Sequence, residues 1–353
     1  MTLFETIKKQ GYYVIGEIGV NYYDIAQQRN ITPMQAAKLM IDQAIDSGMD
    51  AVKFQTYKAE TIASKFSPSY WDTSEESTTS QYELFKKFDS FAYEEYKELS
   101  HYCKDKGIDF FSTAFDFESA DYLEDLMPVY KISSSDLTNL PFIAHQASKQ
   151  KPVLLSTGAS TLEEIHQAVE TIEKTGNKQI ILLHCVLEYP TPYEHANLNV
   201  IRSLKEEFPN YIIGYSDHTK PDTNMDVIKT AVAMGAPVIE KHYTLDKSLP
   251  GNDHYHAMDP EDMKVLKQGL DFQMQISGST EIDIESQSAA RQNARRSIVL
   301  TQAVKAGHQL RREDLTFKRP GTGLSPEHVE EVIGKIIKED LDEDTILQAD
   351  MLS

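Results

Sequence analysis

Eight short apolar runs recur along most of this chain, each followed by a segment with helical spacing. They fall near residues 13–17, 50–55, 108–112, 129–132, 152–156, 180–185, 211–215 and 238–242. The runs are nearly continuous in hydrophobic character rather than alternating, as strands covered on both faces must be, and that pattern belongs to parallel sheets. Parallel neighbours need crossovers, and stretches such as residues 32–48 supply them: Thr32 caps, Pro33 takes the first helical position and Gly48 closes. Eight such units predict an α/β chain built on a (β/α)8 barrel. The rival, an open doubly wound sheet, would want a GxGxxG turn after the first strand, where the sequence reads GEIGVN.

Each run also ends in something polar: Glu17, Lys53 with Gln55, Ser112 with Thr113, Lys131 with Ser134, Ser156 with Thr157, His184, Ser216 with Asp217 and His218, and Glu240 with His242. In a barrel all of these ends open into one mouth, where active sites sit. His218 and His242 are 24 residues apart, one strand plus one crossover. With Asp217, Glu240, Asp253, His254 and His256 nearby they point to a divalent metal, and imidazoles with oxygen donors suit Mn, Zn, Fe or Co alike. A lysine inside an apolar strand is costly unless its head reaches an anion or solvent. Lys53 and Lys131, with Ser134, Ser156 and Ser216, therefore suggest a cradle for a phosphate or carboxylate. Two other readings of these lysines stand beside it: a Schiff-base lysine, and plain structural pairing with Glu17 or Glu240. Cys185, inside ILLHCV, reads as a buried, inert thiol.

Residues 58–90 are too long and mixed for a turn and read as an ordered active-site loop ending in a short helix. The barrel is expected over 1–278, a polar linker over 279–293, and a small, mostly β domain over 294–353 with a short helix at 326–337. Lys and Arg number 35 against 55 Asp and Glu, a formal charge of −20, which disfavours nucleic acid and anionic membranes as partners. No apolar stretch approaches a membrane span or a secretory leader. Only two cysteines, Cys103 and Cys185, are present, so a reducing cytoplasm is the expected location.

Several stretches carry a resemblance: GEIGVNY, DAVKFQTYKAETI, YKISSSD, LLSTGAS, LHCVLEYPTP, GYSDHT, EKHYTLDKSLPGNDH, ARRSIV and FKRPGTGLSP. In this order, over nearly the whole chain, they resemble the sialic acid synthase family, which joins phosphoenolpyruvate to an N-acylated hexosamine to form a nonulosonic acid. The C-terminal segment resembles that family's SAF domain, an antifreeze-like β fold. The resemblance implies N-acetylmannosamine as acceptor and N-acetylneuraminate as product. The alternative acceptor is a 2,4-diacetamido-trideoxy hexose leading to N,N'-diacetyllegionaminate.

Residue by residue, the resemblance implies that His218 and His242 hold a divalent cation, Mn2+ first, with Mg2+ and Co2+ as alternatives. Glu17 would lie beside the reacting carbons, and Glu240 would support the metal histidines or the sugar. Lys53, Lys131, Ser134, Ser156, Ser216 and Tyr189 would bind phosphoenolpyruvate, with Thr113 near. Gln55 and Asp253 would meet the sugar. Arg319 would reach the sugar's acyl group in a second copy, giving a domain-swapped homodimer. The implied mechanism is an aldol-type attack followed by C–O cleavage, which assigns Lys131 to electrostatics. The chain departs from the family pattern at Leu187, where better-known members place an amide, and at Asn252, where proline is usual. Trp71 and the Ser/Thr cluster of residues 58–90 are expected to line the sugar pocket. An aldolase on the same barrel, or a binding protein without catalysis, are the other classes.

Overall fold

The computed structural model describes residues 2–71, 73–74, 76–251 and 253–353. It contains two compact units, residues 1–277 and 278–353.

The first unit is a closed eight-stranded parallel barrel. Its strands are β1 (Tyr13–Gly19), β2 (Ala51–Thr56), β3 (Asp109–Ala114), β4 (Tyr130–Ile132), β5 (Val153–Ser156), β6 (Ile180–Cys185), β7 (Ile212–Asp217) and β8 (Val238–His242). Strand order follows chain order, and β1 closes on β8 with Glu17 opposite His242. The continuous apolar runs have the cause expected of them, because each strand feeds two separate cores. Tyr13, Ile15, Phe111, Leu154, Ile181, Leu183 and Val238 fill the barrel interior. Val14, Val52, Phe54, Leu155, Leu182 and Ile239 pack outward under the helices. Gly214 is needed between β6 and β8, since a Cβ there would stand 2.4 Å from Leu183 Cδ2 and 2.6 Å from the Val238 carbonyl.

The interior is apolar at the strand starts and polar at their carboxyl ends. A helix at Leu3–Gln10, capped by Thr2 and Glu5, packs Leu3 into the interior cluster and closes the apolar end. Sequence reasoning missed this helix.

Period-two alternation also corrects one reading. Ser216 and Glu240 face inward, so their neighbours Asp217 and Lys241 face the outer layer, where they pair at 2.6 Å almost without exposure. Asp217 also accepts from Tyr215 Oη and the Thr219 backbone N–H. It is a buried structural carboxylate turned away from the mouth, and a buried pair broken on one side typically costs about 3–5 kcal/mol. His184 likewise faces outward, its Nε2 bonded to the Ala196 carbonyl at 2.8 Å.

In the second unit, β9 (Ser297–Leu300) pairs antiparallel with β10 (Leu315–Lys318). Isolated bridges at Val299–Ile346, Val304–Leu341 and Ile337–Leu352 wrap the chain around Ile298, Leu310, Val332 and Leu347. The segment expected to be a linker carries a helix, Ser288–Ala294, at its end. The helix expected at 326–337 is shorter: a 3-10 turn at Pro326–His328 and one helical turn at Val329–Val332. Beyond it Gly334 takes a positive φ of 86°, which turns the chain out of the helix. Among the described residues no helix is long and apolar enough to cross a membrane.

Candidate active site

The thirteen barrel residues to which the resemblance gives a role all line a single cavity of about 930 Å³ at the carboxyl ends of the strands. Arg319 belongs to the second unit. Strand register explains the convergence. Glu17 lies opposite Lys53, Gln55 opposite Thr113, Thr113 opposite Lys131, and Ser216 opposite Glu240.

The centre of the cavity is a buried charge network. Lys53 Nζ is 2.6 Å from Glu17 Oε2, 3.9 Å from Glu240 Oε2, and donates to Thr113 Oγ1 at 2.9 Å. Lys131 Nζ lies 3.5 Å from Glu240 Oε1, which also accepts from Ser216 Oγ at 3.1 Å. Gln55 donates to Glu17 Oε1 at 2.9 Å. The structural pairing of lysines with glutamates is thus real, but it does not fill the site. Ser156 Oγ and Glu240 Oε2 are buried without a hydrogen-bond partner. Gly158 donates its N–H to Ser134 Oγ at 2.9 Å, and a Cβ there would press on Ser134, Cys185 and Leu187. That glycine keeps the pocket floor open beside two lysines, as an anion cradle requires.

The two carboxylates are pushed apart. Burial raises Glu17 to about 7, against the pull of Lys53 and with the help of Glu240's charge. Burial also opposes charge on Glu240, but Lys131 and Lys53 outweigh it and hold that carboxyl below its usual value. Glu240 is the standing anion, and Glu17 is the group able to hold or release a proton near neutral pH. Burial lowers Lys131, which an incoming anion would reverse.

Beside this network stands an imidazole cluster. His218 and His242 ring centres are 5.3 Å apart, and Tyr189 lies 4.2 Å from His218. His218 Nδ1 is 2.8 Å from the Val186 carbonyl, which fixes the tautomer and leaves Nε2 for a ligand. His242, Asp253 and His256 offer donor atoms that all lie within 4.8 Å of one another. Burial, then His256 and His218, hold His242 well below its ordinary pKa, so it is a neutral imidazole. Its Nδ1 has no hydrogen-bond partner among the described residues, and burial raises Asp253 to about 6. A neutral imidazole with an unpartnered nitrogen, beside a buried carboxyl and a second imidazole, is the donor set a divalent cation takes. His254, by contrast, is committed to Thr244 and Asp24 at 2.7 and 3.1 Å.

The loop 58–90 does line the cavity, through Tyr70, Glu76, Ser77, Gln81, Leu84, Phe85 and Phe88 among others. Lys58 ties its two ends by donating to the carbonyls of Asp89 and Phe91, and a bridge joins Pro68 to Ser80. Trp71 is the exception: it is buried within the loop, its Nε1 donating to the carbonyls of Glu76 and Thr78. It shapes the loop and does not line the pocket, and sequence alone could not tell an inward tryptophan from a pocket-facing one. Leu187 lines the cavity, as does Cys185, whose thiol is therefore at the site and not simply core. Asn252 lies outside the described residues.

The model described as the NeuB family matches residues 40–281, and that of the SAF domain matches 295–353. The chain is 38% identical to the N,N'-diacetyllegionaminic acid synthase of Legionella pneumophila, covering 95% of this chain and 93% of that one. It is 36% identical to the N,N'-diacetyllegionaminic acid synthase of Campylobacter jejuni, covering 95% and 98%. Among solved structures, the N-acetylneuraminic acid synthetase of Leptospira borgpetersenii matches with a TM-score of 0.67 and 31% identity, covering 79% and 90%.

Proposed function

Since the chain belongs to the NeuB family and ends in a SAF domain, we propose that it condenses phosphoenolpyruvate with an N-acylated hexosamine to give a nonulosonic acid and phosphate. The observation that carries this reading is the pairing, in one cavity, of a lysine-and-serine anion cradle with the imidazoles of His218 and His242. Lys53, Lys131 and Ser156, with Ser134, Ser216 and Tyr189 around them, are assigned to phosphoenolpyruvate, with Thr113 orienting Lys53. Gln55 and Asp253 are assigned to the sugar.

His218 and His242 are assigned to a divalent cation, Mn2+ before Mg2+ or Co2+. When bound there, the cation supplies Lewis-acid polarisation of the sugar aldehyde. C3 of phosphoenolpyruvate attacks the aldehyde carbon, water adds at C2, and phosphate leaves by C–O cleavage. The two lysines hold the phosphate and carboxylate through the attack, which keeps the reacting carbons in line and stabilises the developing charge. Glu17, with a pKa near 7, is the group to receive or return the proton at that centre.

For the acceptor, a 2,4-diacetamido-trideoxy hexose is the better reading than N-acetylmannosamine. Ile62, Leu84, Phe85 and Phe88 line the cavity beside Ser77, Gln81 and Lys87, and their apolar surface suits a C6 methyl. Two legionaminate-forming relatives of similar length support it. The test is kcat/KM with 2,4-diacetamido-2,4,6-trideoxymannose against N-acetylmannosamine, each product weighed. We expect about a 100-fold preference for the first. A preference for the second would make this a sialic acid synthase.

The homodimer, with Arg319 serving the acyl group of the sugar, is part of the same proposal. Arg319→Ala should raise KM for the sugar about tenfold or more, the loss expected for a charged hydrogen bond, and leave KM for phosphoenolpyruvate unchanged. Equal loss for both substrates would count against it.

A further inference from the structure

His256 is fully buried, and among the described residues neither of its ring nitrogens has a hydrogen-bond partner. A polar group left unpartnered in the interior is costly, so an imidazole with two such nitrogens calls for a ligand that the described residues around it do not supply. Its neighbours indicate which kind. His242 and Asp253 bring donor atoms within 4.8 Å of its own and of each other. The rings of His242 and His256 stand with centres 4.8 Å apart and planes tilted by 62°, so they are not stacked.

The backbone around His256 is pinned. Tyr243 bridges Met258, the Met258 N–H donates to the His242 carbonyl at 2.8 Å, and Tyr255 Oη donates to the Tyr189 carbonyl at 2.9 Å. The loop therefore holds the imidazole in place ahead of any ligand, as a binding site requires.

We propose that His256 is a further protein ligand of the divalent cation assigned to His218 and His242, with the Asp253 carboxylate beside it, so that the stretch from the end of β8 through its following loop grips the ion. This rests on the reading that the barrel mouth holds such a cation. One more nitrogen donor favours Co2+, Zn2+ and Fe2+ over Mg2+, which prefers oxygen. His256 thereby sets which metals the site accepts.

The test is Co2+ binding to metal-stripped full-length protein without substrates, followed by calorimetry and the visible Co2+ absorption bands. In His256→Asn and His256→Leu, Co2+ affinity should fall about 100-fold, at least the loss seen when a ligand's supporting partner is removed. Mg2+ affinity should change much less, and the absorption bands should shift. Thermal melting of the metal-free variants reports whether they fold. Should neither fold, anomalous diffraction from Mn2+-soaked wild-type crystals decides, with a His256 nitrogen expected at about 2.0–2.3 Å from the ion. Unchanged Co2+ affinity and bands in a folded variant, or an ion with His256 turned away, would overturn the proposal. A protein that binds Co2+ through His256 but releases no phosphate would sink the reaction and leave this inference standing. Full turnover with Co2+ binding indifferent to His256 would do the reverse.

Discussion

Lys131→Met is expected to lower kcat/KM for phosphoenolpyruvate by about 10³-fold, the scale on which a preorganised charge at a reacting centre acts. Lys131 is 4% exposed, and among the described residues Glu240, at 3.5 Å, is the one carboxylate within 4 Å of its ammonium. Burial holds it below the ordinary lysine range, so its charge is under-compensated until an anion arrives. Phosphoenolpyruvate supplies that anion, and the attraction is strong because water is excluded. Methionine keeps most of the volume, which limits the packing cost. Glu240 keeps Ser216 at 3.1 Å and Lys53 at 3.9 Å. The loss should therefore appear in turnover and phosphoenolpyruvate KM, with the melting temperature shifted by only a few degrees. The same experiment separates electrostatics from covalent catalysis. Borohydride added to wild type during turnover should leave the mass of the protein unchanged. A trapped adduct on Lys131 would return the chain to the aldolase reading.

Removal of divalent ions is expected to have the other large effect. Chelation should lower turnover by about 10³-fold or more, since Lewis-acid polarisation supplies several kcal/mol of transition-state stabilisation. Mn2+ or Co2+ should restore it. His242→Ala should show the same loss without restoration, because its neutral imidazole and unpartnered Nδ1 belong to the donor cluster. Full activity in chelator would remove the metal from the account and leave the lysine cradle to explain the chemistry alone.

The barrel was legible because a parallel strand buried on both faces writes itself as an unbroken apolar run, and eight of these are present. The site was legible because each run ends in a polar residue, and register then does the rest: Glu17 beside Lys53, Ser216 beside Glu240. What escaped was parity and loop shape. Asp217 looks like a neighbour of the metal histidines in sequence, yet it follows the inward Ser216 by one residue and so must face outward to Lys241. His256 is visible as one of several histidines near a strand end, but its position against His242 depends on how the loop after β8 folds back. Trp71 follows the same logic. Its indole is consumed by two carbonyls of its own loop, a tertiary outcome that composition does not encode. The helix at Leu3–Gln10 is signalled only by the Thr2 and Glu5 capping box and spans just eight residues, too short for a clear apolar period.

The most direct test of the account is turnover of phosphoenolpyruvate carrying 18O at its bridging oxygen, with Mn2+ and the diacetamido sugar. The account predicts phosphate that carries the label, formed only when the sugar is present, together with one equivalent of an unlabelled nonulosonic acid. Label retained in the organic product, or phosphate release that ignores the sugar, would contradict it.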